Sequence, residues 1–81
     1  MRGFVRYINL RNAMAAVETP EGFAVIEVLE CCALDISDQL DGPLDAPGTE
    51  VLRNVSKNED FHVSIKNTHC SRTDALELIE Q

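Results

Sequence analysis

At 81 residues the chain has room for one small domain and not for two. Its 44% hydrophobic content excludes a disordered chain, and fourteen acidic against seven basic side chains give a formal charge of −7. That field repels phosphate backbones, so sequence-blind nucleic-acid binding is disfavoured, and no apolar run approaches the ~20 residues of a membrane helix.

The cations are unevenly placed. Arg2, Arg6 and Arg11 fall in the first strand and the turn after it, whereas the acids gather from Glu18 onward. With no hydrophobic signal core near Arg2 and Arg6, a cytoplasmic protein is expected. Three cysteines, Cys31, Cys32 and Cys70, are an odd count that suits reduced thiols better than a disulfide framework.

Taken in order, Arg2 to Leu10 is rich in strand formers, with Phe4, Val5, Tyr7 and Ile8. Simple alternation puts Phe4, Arg6, Ile8 and Leu10 on one face and Gly3, Val5 and Tyr7 on the other. Apolar residues on both faces predict a curl or a bulge. Leu10-Arg11-Asn12 reads as a turn, with Asn12 the residue that tolerates left-handed angles. Ala13 to Thr19 is a second strand, weak in propensity, closed by the Thr19-Pro20-Glu21-Gly22 turn, where Gly22 takes the positive φ.

Phe23 to Glu30 is nearly continuous apolar, as expected of a strand covered on both faces. A helix over Ala24–Ile36 competes, because Ile26, Leu29, Ala33 and Ile36 also fit a helical spacing. The β-branched residues favour the strand, with a short helical turn at residues 31–37. Asp38 to Asp45 reads as an edge strand or one broken at a bulge, because Pro43 cannot donate to a ladder. Thr49–Lys57 fits a helical turn or an extended arm. Phe61 to Lys66 alternates cleanly, with Phe61, Val63 and Ile65 on one side and His62, Ser64 and Lys66 on the other. Ser71 and Asp74 read as a capping pair for a terminal helix over residues 71–80, whose Ala75, Leu76 and Ile79 need a docking face. The expected fold over residues 1–81 is a single mainly-β domain: a five-stranded OB-type barrel with a short C-terminal helix.

Gly3, Val5, Arg6, Tyr7, Ile8 and Asn9, followed by Asn12 to Val17, fall in register with the opening of bacterial cold-shock domains. There a Gly-x-Val-Lys-Trp-Phe-Asn strand precedes Lys-Gly-Phe-Gly-Phe-Ile. Met1–Val17 resembles that family. Arg6 keeps the charge, Tyr7 keeps an aromatic and Asn9 is unchanged. The lysine becomes Asn12 and the two phenylalanines become Met14 and Ala16, and Val25–Val28 lacks the aromatic and histidine of the family's third strand. The resemblance implies a cold-shock-like barrel whose single-stranded nucleic-acid site would be Arg2, Arg6, Tyr7, Arg11 and Met14. Exposed aromatics in such sites contribute about 1–3 kcal/mol per stacked base, so loss of most of them implies weak binding.

Two further groupings carry chemistry. Cys31-Cys32 with His69-Cys70, and His62 nearby in sequence, could supply soft ligands to zinc if both pairs met at one end of the barrel. Neither pair has the two-to-four-residue spacing of ordinary zinc sites, so no metal or other cofactor is expected. A thiol enzyme built on Cys70 beside His69 or His62 lacks a third orienting group, and no phosphate loop or serine elbow is present, so no enzyme is expected. Asp35, Asp38, Asp41 and Asp45 lack calcium-loop order and read as a solvated acidic edge. The expectation is a non-catalytic binding module contacting a protein partner. Weak single-stranded RNA or DNA binding is the alternative, and neither a membrane nor a small-molecule ligand is expected.

Overall fold

In the computed structural model, which describes residues 1–30 and 33–80, six strands precede one helix. The strands are β1 (Arg2–Asn9), β2 (Met14–Thr19), β3 (Gly22–Val28), β4 (Gln39–Asp41), β5 (Gly48–Asn54) and β6 (Glu59–Cys70), and helix α1 spans Arg72–Ile79. All pairings are antiparallel, and the order β1-β2-β3-β6-β5-β4 closes back on β1 as a barrel. The fold is thus mainly β with a short C-terminal helix, but with six strands rather than five. The additional strand is β5, in the stretch whose spacing left helix and strand open. It pairs with β6 from Gly48↔Ile65 to Asn54↔Glu59.

The bulge expected in β1 lies at Arg6. Val5 faces Val17 and Tyr7 faces Ala16, so Arg6 is the extra residue between them. The bulge changes the parity of the strand. Gly3 and Val5 point inward before it, and Ile8 packs on the barrel core after it, while Tyr7 turns to the outside cluster. Simple alternation had grouped Tyr7 with Val5 and Ile8 with Phe4; the extra residue separates both pairs. Gly3 is required by close approach, because a Cβ there would lie 2.6 Å from Val17 Cγ1 and 2.9 Å from the Glu18 carbonyl oxygen.

Two apolar clusters result. Val5, Ala15, Val17, Ala24, Ile26, Leu40, Leu44, Leu52, Phe61, Val63 and Ile65 fill the barrel. Ala16, Phe23 and Val25, on the outer faces of β2 and β3, meet Ala75 and Ile79 of α1, with Tyr7, Met14, Cys70, Leu76 and Leu78 around them. This explains both oddities of the middle strands: β3 is apolar on two faces because each covers a core, and small Ala16 lets the helix approach the sheet.

Ser71 caps α1, its hydroxyl accepting from the Asp74 amide at 3.2 Å. At the other end, the side-chain amides of Asn9 and Asn12 both donate to the Ile79 carbonyl, at 2.6 and 2.8 Å. They satisfy a carbonyl that the last turn leaves without a helical partner.

Three local expectations are corrected. The left-handed residue of the β1–β2 turn is Ala13, at φ 58°, because Asn12 is committed to the helix. Ala33 to Ser37 is irregular rather than helical, and Cys31 and Cys32 lie outside the described residues. Asp38 is not solvated: it is buried, and its Oδ2 accepts from the Asp35 amide, the Asn54 amide group and Lys57 Nζ at 2.8–3.0 Å. Among the described residues, no helix is long and apolar enough to cross a membrane.

Candidate protein-binding surface

Of the residues assigned by resemblance to nucleic-acid binding, Arg6, Tyr7 and Arg11 line one groove, and Arg2 and Met14 are not among its walls. Tyr7 is half-buried beside Phe23, ring centroids 6.3 Å apart, in the cluster that α1 covers. Met14 borders the same cluster. Arg2 and Arg6 lie on the outer face, each beside a carboxylate: Arg6 Nε is 2.8 Å from Glu18 and Arg2 Nε is 3.9 Å from Asp41. Arg11 sits in the β1–β2 turn, exposed and outside any ion pair among the described residues.

The aromatic that is accessible is Phe4, 40% exposed, with the Arg6 guanidinium 5.3 Å from its ring centroid. Its exposure follows from the bulge: Phe4 precedes Arg6 and keeps the outward parity that Ile8 loses. The pairing of charged groups on both sides makes this a mixed surface rather than a basic one.

From Arg6 onward β1 borders a groove. Its other walls are the β1–β2 turn with Leu10 and Arg11, Ile36 from the loop after β3, and Leu76, Ile79 and Glu80 of α1. Leu10 is 89% exposed and Ile36 53%, far more than apolar side chains in a packed core. Around Leu10 and Ile8 the groove adjoins a cavity of about 220 Å³ at the end of the barrel, where Ala15, Val28 and Leu34 also form the wall. Glu30 is its one charged wall residue among those described. Glu30 Oε1 accepts from the His62 backbone amide at 2.7 Å and lies 3.1 Å from His62 Nδ1. The backbone bond, with the imidazole beside it, holds the Glu30 carboxyl below its ordinary range, so it is an anion at neutral pH. Leu10 gave a signal in the sequence, as an apolar residue in a turn. Leu34 and Glu30 gave none, because they meet Ile8 and Ala15 only in the folded barrel.

The two histidines separate along β6. His62 lies beside Glu30 near one end of the strand, and His69 and Cys70 lie at the other, where Cys70 pairs with Phe23. Six residues lie between Val63 and Cys70 along the strand, which sets them on the order of 20 Å apart. Cys31 and Cys32 lie outside the described residues. No group of three or more His, Cys, Asp or Glu among the described residues could hold a metal ion. The Cys70 thiol is pushed up by burial and then by the Asp74 charge, so little thiolate forms at neutral pH. The His69 ring lies 3.1 Å from Glu21 and 3.0 Å from Thr68 Oγ1.

No protein-family model matches this chain, and no curated protein or solved structure matches it.

Proposed function

We propose that the protein is a non-catalytic binding module that takes a protein partner in the groove along β1. One observation carries this reading. Leu10 and Ile36 both stand exposed in one groove, while α1 occupies the neighbouring outer face of β1–β3. Exposed apolar side chains gathered in a concavity and rimmed by charge favour recognition of another polypeptide. Phe4 and Arg6 extend the surface along the same strand with residue types that concentrate binding energy in protein interfaces. Half-buried Tyr7, packed against the α1 cluster, and Arg2 and Arg6 beside carboxylates weigh against the alternative of a single-stranded nucleic-acid binder. Phe4 is the residue that alternative would now rest on.

Site-specific photocrosslinking tests the proposal. Leu10→p-benzoylphenylalanine in the source cells should give a discrete protease-sensitive adduct. The same probe at Val51, exposed on β5 away from the groove, should give none. A nuclease-sensitive adduct, equal adducts from both positions, or no adduct at Leu10 would overturn it.

A further inference from the structure

The cavity at the end of the barrel is the feature that the groove alone does not explain. Its walls are apolar, and Ile8 and Leu10 belong to both cavity and groove, so a chain lying in the groove passes the cavity mouth. A volume of about 220 Å³ falls below the ~300 Å³ at which ordinary small-molecule pockets begin. It exceeds the ~150 Å³ that accommodates a benzene ring. That is the size of one leucine, methionine or phenylalanine side chain. Interfaces gain most of their energy from a few such side chains seated in desolvated pockets.

The wall also carries a sign. Glu30 supplies an anion, and only its Oε1 is engaged by His62. A chain of net charge −7 adds a field of the same sign. A carboxylate at the side of an apolar pocket selects against an acidic neighbour of the entering side chain and for a basic one.

From this we infer that the barrel mouth receives a single large apolar side chain of the partner, with a lysine or arginine next to it in the partner's sequence meeting Glu30. This rests on the groove reading and adds the partner's chemistry to it.

The test uses a randomised linear peptide library selected on the immobilised full chain. Enrichment of a large apolar residue adjacent to Lys or Arg is expected. A selected peptide should shift the methyl resonances of Ile8, Val28 and Leu34. Glu30→Lys should weaken that peptide at least tenfold and restore binding to its charge-reversed form. Leu34→Phe, which fills the cavity, should weaken both, with an unchanged amide spectrum elsewhere showing that the barrel is intact. A library without binders, peptides that ignore Glu30→Lys, or silent cavity methyls would overturn the inference. The parent reading is separable: an adduct at Leu10 that survives both substitutions leaves the groove standing and removes the pocket, whereas no adduct at Leu10 removes the groove.

Discussion

The barrel interior and the cluster beneath α1 share β1, β2, β3 and β6 yet are built differently. The interior is large and branched, with Ile26, Leu40, Leu52 and Val63 fully enclosed. The outer cluster is smaller, with Ala16, Phe23, Val25, Ala75 and Ile79 buried, and is bordered by half-buried Tyr7, Met14 and Leu76. The first holds the chain together through pairings distant in sequence. The second lets one short helix cover a face and, by ending beside β1, shape a groove.

The largest expected effect breaks the interior. Ile26→Ala should cost about 2–5 kcal/mol, a large fraction of the stability of a chain this small, and abolish the cooperative transition near room temperature. Ile79→Ala removes a similar volume from the outer cluster, where the helix can shift to fill part of the space. Its cost should be smaller, and hydrogen exchange should show α1 amides opening while β5 and β6 stay protected. Simultaneous loss of protection everywhere would show that the two clusters are one cooperative unit.

A second break lies in the polar network that ties the loop after β3 to β5. Asp38→Asn should cost about 1–3 kcal/mol, because Lys57 and Asn54 lose a charged acceptor. Burial alone would raise the Asp38 carboxyl, but the bonds from Lys57, Asn54 and the Asp35 amide outweigh it and hold it below 3.8. A group lowered in the folded state contributes stability above its unfolded value and loses it as pH falls through the folded one. Urea midpoints should therefore drop below about pH 4, and drop less in Asp38→Asn. Lys57, raised above 10.5 by its bonds to Asp35 and then Asp38, acts with the opposite sign, its contribution fading as pH rises past that value. Identical acid profiles for the two proteins would dismiss the network as a pH-sensitive tie.

These contrasts also show what the sequence could express. β6 was legible because one face is core and the other solvent, and the capping serine because its signal is local. The nearly continuous apolar run of β3 was correctly a strand covered twice, although what covered it could not be read. β5 was obscured because only Leu52 among its apolar residues is deeply buried, leaving Val51 exposed and no clean alternation. Tyr7 lined up with an aromatic position by register, but one inserted residue and a docked helix decide its surroundings. The groove and cavity were illegible because Ile36, Leu34 and Glu30 meet Ile8 and Leu10 only in the folded barrel.

A smaller effect concerns the helix end. Replacing Asn9 and Asn12 together by alanine should cost about 1 kcal/mol for each bond lost to the Ile79 carbonyl. Because Leu76 and Ile79 wall the groove, amide shifts should spread from α1 to Leu10. Shifts confined to the turn would mean that the helix holds its place by packing alone.

The smallest effect is at Ala13, beside the cavity, where two terms oppose each other. Its φ of 58° places a Cβ in the left-handed region, a strain of about 1–2 kcal/mol that glycine would relieve. Glycine also frees the unfolded chain, a loss of about 0.5–1 kcal/mol. Ala13→Gly should thus stabilise by about 0.5 kcal/mol, a rise in Tm of about 2–4 °C for a domain of this size. It also removes a methyl from the cavity wall. If the mouth seats a partner's side chain, the variant should be more stable yet bind the selected peptide less tightly. A parallel rise in both would show that Ala13 acts on the backbone of the turn and contributes nothing to the pocket.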